Sequence, residues 1–523
     1  MQTRTNAHCT PSSPSATGAS PPAALHARRW LILAIVSVAL LLIVIDVTVL
    51  YTALPRLTHE LAASASAKLW IMNAYALAVS GLLLGMGTLG DRLGHKRLFV
   101  AGLAVFGLAS LAAAFSPTAG WLIAARAFLG LGAAMMMPAT LSLIRLTFTN
   151  EQERAFAIGV WASVASGGMA FGPVVGGALL EHFWWGSVFL INVPIVLIAL
   201  PLAVYFIPRG GPTSDRPWDP VASLQALVAL VGITYAVKES GKQAPDWLAA
   251  LAALVIGSLF AWRFVRRQLD SADPLLDLSL FRHRAFSAAV AGAMVTAAAL
   301  IGMELMFSQR LQLVLGQSPL QTGWAILPLP LAAFVAGPLA GHWLSRIGHQ
   351  RMLPGGLLVA GIGMAAFVLT HSAQQPLWQV GSLVLMGLGM GAAITTASST
   401  IMLSAPEDRA GMAASVEEVS YELGGALGIT LSGGLLSAVY THAMPPLAEL
   451  STPGAAPLPS TVRDSLDEAL MLAESLGSET GIRRLTDAAF SAFGQAFDVV
   501  LAVNTALLCM VAVLAWWSLK SRR

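Results

Sequence analysis

Charge is scarce in this sequence. Only 11% of its 523 residues are Asp, Glu, Lys or Arg, against about 25% in an ordinary soluble domain. That is too little to cover the surfaces of several soluble domains, and 56% of the chain is hydrophobic. One soluble core cannot absorb the excess, because single cores stop growing near roughly 250–300 residues. A soluble enzyme, a nucleic-acid binder and a disordered scaffold are excluded, and lipid remains as the solvent. Cysteine is nearly absent. Cys9 lies in a polar tail and Cys509 in an apolar stretch at the other end, so neither a disulfide framework nor a redox motif is read. No Walker-type G-x-x-x-x-G-K-[ST] occurs, which disfavours ATP drive. The ten His show no metal-ligand spacing and the largest loop holds no nucleophile–base set. No metal, no cofactor and no enzymatic part is expected. The first apolar run, Trp30 to about Leu54, is too long for a signal-peptide core and is read as a retained helix. Residues 1–29 before it, rich in Ser, Pro, Thr and Ala, are read as a disordered tail.

What is abundant is apolar sequence in long runs. A membrane-spanning helix needs about 20 apolar residues. Fourteen such spans are read, at about 30–54, 69–89, 98–116, 121–144, 155–180, 187–207, 219–237, 246–264, 285–307, 321–344, 352–371, 376–403, 411–440 and 496–518. An even number places both termini on one side. With the termini assigned to the cytoplasm, 21 of the 30 Lys and Arg fall on that side, as the positive-inside rule demands. The net charge of +3 and the pI near 9.0 thus reflect topology rather than an anionic partner. The longest loop, 441–495, lies outside. Within it Thr461–Leu476 and Ile482–Phe497 carry apolar residues at amphipathic-helix spacing. It is read as a solvated cap, with gating of substrate release as the sharper alternative.

The sequence echoes itself. Gly87-Thr-Leu-Gly-Asp-Arg-Leu-Gly-His-Lys-Arg-Leu98 returns 254 residues later as Gly341-His-Trp-Leu-Ser-Arg-Ile-Gly-His-Gln-Arg-Met352, with Ser345 in place of Asp91. Leu129-Gly-Leu-Gly132 pairs with Met386-Gly-Leu-Gly389, and Glu153-Arg154-Ala155 with Asp408-Arg409-Ala410. The expected plan is all-α, 6 + 2 + 6: a tail 1–29, a six-span half 30–208, a two-span insert and linker 209–284, a second six-span half 285–518, and a tail 519–523. Paired six-helix halves with a site at their interface are a transporter architecture.

Gly87–Leu98 resembles the loop 2–3 signature of the major facilitator superfamily, and Leu122-Ile-Ala-Ala-Arg126-Ala-Phe-Leu-Gly130 its helix-4 signature. Gly168-Met-Ala-Phe-Gly172-Pro173-Val-Val-Gly176-Gly177 resembles the helix-5 signature of its antiporters. Asp46-Val-Thr-Val-Leu-Tyr-Thr-Ala-Leu-Pro55 resembles the helix-1 signature of its fourteen-helix drug:proton antiporters. Trp184-Trp-Gly-Ser-Val-Phe-Leu-Ile-Asn192-Val-Pro194 and Val416-Glu-Glu-Val-Ser-Tyr-Glu-Leu-Gly424 look most like exporters of quaternary ammonium compounds and methyl viologen. The resemblance implies the major facilitator fold, a bacterial inner membrane and exchange of protons for lipophilic cations.

Charges inside the spans are the sharpest local clue, since each costs at least ~2.5–3.5 kcal/mol on insertion scales. Asp46, Arg126, Glu304, Glu417, Glu418 and Glu422 are the clear cases. At 1.5 Å per residue, Asp46 lies about 12 Å and Arg126 about 8 Å from the same face, so they can pair. The pair either couples proton exchange, with burial opposing the carboxylate's charge and Arg126 favouring it, or is a static structural link. Glu417 or Glu418 in span 13 is expected as a second proton carrier or cation contact. Glu417 shares a helical stripe with Tyr421, Gly424 and Gly428. Glu422, on the neighbouring stripe, is read as structural. Glu304 either snorkels to the outer face or contacts a second positive charge on a dicationic substrate. Aromatic faces attract cations and Met re-packs around varied shapes, so Trp70, Asn73, Tyr75, Trp161, Met135 and Tyr421 are substrate-contact candidates, each against the plainer reading of helix packing.

Gly87, Asp91, Arg92, Gly94 and Arg97 form a candidate gate at the cytoplasmic ends of spans 2 and 3, or else only anchor topology. Gly168, Gly172 and Gly176, with Pro173 and Gly177, predict a tight seam between the halves. The leading expectation is a proton-driven exporter of lipophilic cations, embedded in the bilayer and working as a monomer. An exporter of a metabolite or antibiotic is the alternative. A receptor or enzyme is a further one, disfavoured for want of an extramembrane catalytic part.

Overall fold

A computed structural model describes residues 23–148, 150–208, 218–240, 245–272, 274–370, 376–404, 410–450, 458–475 and 479–520. Cys9 and most of the expected N-terminal tail lie outside them, as do Asp408 and Arg409 of the third echo. The described residues are helical almost throughout. In order come α1 (Ala23–Glu60), α2 (Ala65–Leu93), α3 (His95–Ala114), α4 (Ala119–Thr147), α5 (Glu151–His182), α6 (Ser187–Leu190), α7 (Asn192–Phe206), α8 (Pro220–Ser240) and α9 (Trp247–Asp270). Then follow α10 (Arg284–Gln309), α11 (Pro319–Ile326), α12 (Pro328–Ile347), α13 (His349–Thr370), α14 (Pro376–Ser404), α15 (Ala410–Ala443), α16 (Leu447–Leu450), α17 (Leu466–Ser475) and α18 (Glu479–Leu519). Twelve spans are long and apolar enough to cross a membrane, and α2, bent by 55°, makes a thirteenth. The 32-residue α5 stands where the remaining expected span belongs.

Local chemistry explains the boundaries. Ser64 and Thr118 accept the backbone N–H of Ala67 and Trp121 at the starts of α2 and α4, which satisfies donors that a helix start leaves open. Ser318 and Gln321 form a reciprocal capping box on α11. Gly94 has φ of +93° and Gly348 of +78°, a conformation costly for other residues. These two glycines turn α2 into α3 and α12 into α13, which is the physical content of the long echo. Two expectations need adjusting. Ile482–Phe497 is not a separate loop helix but the first turns of α18, 41 residues long. Span 10 is present as Pro319–Leu344 but is divided at Leu327 into α11 and α12, because Pro328 lacks the N–H that would continue the first helix.

Packing repeats the echo in three dimensions. α1 lies on α5, α2 on α4, α3 on α4 and α7; correspondingly α10 lies on α15, α12 on α14, α13 on α14 and α18. Gly130 meets the Tyr75 carbonyl of α2, and Gly387 meets the Leu329 carbonyl of α12. Gly132 meets Phe106 of α3, and Gly389 meets Ala360 of α13. α8 lies against α2, and α9 lies against α8. Leu248, Leu251, Val255, Leu259 and Trp262 of α9 stay exposed, an apolar face suited to lipid.

The glycines of α5 correct the expected seam. A Cβ on Gly172 would collide with Thr48 Oγ1, and Gly168 and Gly176 press on Val44 and Val49, all of α1. Those three glycines therefore close α5 onto its own half. Gly177 and Pro173 are the members of the set that reach the other half, against Leu320 and Gly323 of α11. The repeat copies this division of labour: Gly424 and Gly428 press on Met294 and Ala298 of α10, whereas Gly433 meets Leu69 of α2 across the seam.

Candidate functional site

Four helices converge on Asp46. The Arg126 guanidinium of α4 donates to its carboxylate in an ion pair. Asn192 of α7 donates to Asp46 Oδ1 at 3.1 Å and to Ser110 Oγ of α3 at 3.2 Å. Arg126 Nε also donates to the Ile71 carbonyl at 3.3 Å, and its Cζ lies 4.7 Å from the Tyr75 ring centroid, within cation–π range. Asp46 is 2% exposed and Arg126 1%. The expected pairing is present, and the cluster is fully enclosed.

A second set faces it from the other half. Glu417, Glu418 and Glu422 of α15 are each only partly exposed. Glu417 lies beside Ser398 and Tyr421, and the Tyr421 hydroxyl donates to the Ile394 carbonyl at 3.4 Å. Glu422 is within electrostatic reach of Arg126, and Tyr75 within reach of Asp46, Glu418 and Glu422. Tyr51 of α1 senses both Glu304 and Glu422. Glu304 is 3% exposed, so it does not snorkel to solvent. Glu422, read from its stripe as structural, thus comes within electrostatic reach of a charge in the other half.

Asn73 and Tyr75 also join this region. Asn73 donates across the seam to Thr430 Oγ1 at 2.6 Å. Its own carbonyl oxygen and the Tyr75 hydroxyl are buried with no hydrogen-bond partner among the described residues. Three other contact candidates are placed elsewhere. Met135 fills the notch left by Gly102 of α3. Trp161 donates to Thr140 Oγ1 at 3.2 Å, the acceptor that a buried indole requires. Trp70 lies 6.3 Å from Tyr235 of α8, an insert helix whose place on α2 no local pattern shows. Sequence reasoning missed Asn192, Ser110, Tyr51 and Thr430. A single Asn within the apolar run of span 6 was the available signal.

The gate residues sit together at the end that carries the termini. Asp91 Oδ1 is 3.1 Å from His95 Nε2, and Gly90 packs on the same ring. Lys96 donates to the Val204 carbonyl at 2.7 Å and to that of Ile207, tying the turn to α7 of its own half. Arg92 and Arg97 are exposed, and Gly87 approaches Pro138 of α4.

Hydrogen bonds between the halves gather at the opposite end. Pro55 inside α1 cannot donate to the Tyr51 carbonyl; Ser308 of α10 supplies that bond at 2.8 Å, and Gln312 donates to the Thr52 carbonyl at 3.0 Å. Ser318 pairs with Glu181. Lys68 of α2 forms a buried ion pair with Asp467 of α17 and donates to Gln309 of α10 at 3.1 Å. The segment around α17 thus straps both halves at what is here called the cap end.

Residues 36–429 match the family model described as Major Facilitator Superfamily. The methyl viologen resistance protein SmvA of Salmonella typhimurium is 41% identical over 94% of this chain and 98% of its own length. The multidrug efflux pump LfrA of Mycolicibacterium smegmatis is 40% identical over 79% of this chain and 82% of its own. Among solved structures, a bacterial homologue of the human lysosomal transporter Spinster superposes with a TM-score of 0.61 at 17% identity, covering 94% of this chain and 97% of that one.

Proposed function

The chain belongs to the major facilitator superfamily, a family of membrane transporters, and from that premise we propose that it exports lipophilic and quaternary ammonium cations in exchange for protons. It is a transporter and not an enzyme. The observation that carries the proposal is the Asp46–Arg126–Asn192 cluster of one half set opposite the acids of α15 in the other. A cationic substrate between the halves meets Glu418, Glu422 and Glu304, with Tyr75, Tyr421 and Asn73 beside them. Protonation of Asp46 releases Arg126, which is then free to turn toward Glu422. Cation binding and proton binding thereby compete through one guanidinium. The resistance and efflux named in the relatives support this substrate class.

In this reading the chain lies in a bacterial inner membrane, as its bacterial relatives support, with the termini in the cytoplasm and the cap end outside, as the Lys and Arg bias supports. With the cap end tied shut, this conformation is the one that loads substrate from within. Alternating access then requires the cap-end bonds to part while the Gly87–Arg97 turns close the other end. The membrane potential assists, at about 2.3 kcal/mol per charge per 100 mV.

The test is transport in proteoliposomes under an imposed pH gradient, with a monovalent dye and a divalent cation. Both are expected to move against the proton gradient. If neither responds to it, the proposal fails.

A further inference from the structure

A cavity of about 390 Å³ lies under the cap, apart from the central cluster, within the usual range for small organic ligands. Three parts of the chain wall it. The start of α2 contributes its N-cap Ser64 with Lys68 and Leu69; α10, α15 and α18 contribute Met306, Tyr440 and Phe493; the cap contributes Asp464, Leu466 and Glu468.

Its charges do not balance. Lys68 is already engaged by Asp467 and Gln309. Two lining carboxylates remain. Glu468 Oε1 receives only a long 3.4 Å bond from the Ala65 N–H, and Glu468 Oε2 is buried with no hydrogen-bond partner among the described residues. Asp464 lies within electrostatic reach of Glu468. Burial, then Asp464, pushes the Glu468 carboxyl above its ordinary range, and burial does the same to Asp464. Lys68 opposes the Glu468 shift in part but is shared with Asp467, so Asp464, Asp467 and Glu468 stand against a single lysine among the described lining residues. Tyr440 and Phe493 supply the aromatic faces that a cation with an apolar body prefers.

We propose that this cavity is a second binding site for organic cations, a station between the central cluster and the cap-end surface. Glu468 and Asp464 neutralise the bound charge, Phe493 and Tyr440 hold its apolar body, and the Lys68–Asp467 pair closes the site from above. Its place in transport rests on the exporter reading; its existence as a binding site does not.

The experiment is equilibrium binding of tetraphenylphosphonium to the purified full chain, with photolabelling by an azido-aryl phosphonium mapped by peptide mass spectrometry. Two probes per chain are expected. The Asp464→Asn/Glu468→Gln pair should remove one of them, at least tenfold in affinity, while Glu422→Gln spares that one. Thermal unfolding confirms that each variant is folded. The label should fall on peptides holding Tyr440 or Phe493. Labelling confined to peptides around Asp46, Arg126 and Glu422 overturns the proposal, and so does a stoichiometry that the cap variants leave unchanged. Proteoliposome transport is scored separately: two-site binding without pH-driven transport keeps the site and rejects the exporter reading.

Discussion

Asp46 and Arg126 are each nearly inaccessible, so each depends on the other to be tolerated. Removing one partner of a buried pair costs about 3–5 kcal/mol, because a lone buried charge remains. Arg126→Ala is therefore expected to lower folded yield sharply. Asp46→Asn combined with Arg126→Gln should recover yield and thermal stability yet lose pH-driven transport. A double variant that still couples transport to protons would reduce the pair to a structural link. Asn192 holds Asp46 and Ser110 together. Asn192→Leu leaves two buried groups short of a donor and should cost about 1–3 kcal/mol. Ser110→Ala removes only one of these contacts, so its melting temperature should fall less.

At the scale of the helix, glycines and prolines decide which surfaces may part. Gly172 sits against Thr48 inside one half, and Gly177 against Leu320 between halves. Gly172→Ala should therefore lower thermal stability. Gly177→Ala should instead loosen the cap-end seam, raising thiol labelling of a cysteine placed at Leu320. Ser308→Ala should act likewise, since it strands the Tyr51 carbonyl that Pro55 leaves free. At the start of α8, Asp219 accepts from Arg267 Nε at 2.6 Å and from the Ala222 N–H at 3.1 Å. Burial raises its carboxyl, but Arg267 and the Ala222 and Val221 amides together hold it below the ordinary range. A group lowered on folding stabilises above its unfolded pKa of about 3.9, and that help is lost as pH falls through the folded value. Asp219→Asn should thus flatten the acid sensitivity of hydrogen exchange in α8 below about pH 4.

For the whole molecule, the cap bridges the two halves whose relative motion the proposed transport cycle requires. Lys68 belongs to the first half, Gln309 to the second and Asp467 to the strap over them. With Cys9 and Cys509 replaced by Ser, Lys68→Cys and Asp467→Cys joined by a short bifunctional thiol reagent should halt transport. Binding of a cation from the opposite end should persist. Continued transport in the cross-linked protein would show that the strap need not open.

Much of this was legible in the sequence because bilayer physics is local and one-dimensional. Apolar run length fixes spans, Lys and Arg bias suggests sidedness, and a positive-φ glycine marks Gly94 and Gly348 alike. Charge scarcity singled out Asp46 and Arg126, and their depths along the helix axis were enough to suggest the pair. Rotation about that axis and the neighbour across it are not encoded locally. Whether Gly172 or Gly177 meets the other half, which ring lies beside Trp70, and whether Glu422 comes within electrostatic reach of Arg126 depend on packing. The same holds for Asn192, whose amide matters because α7 brings it to Asp46, and for Lys68, whose counter-charge lies 399 residues away in the chain. Sequence determined which groups had to be buried; tertiary structure decided with whom.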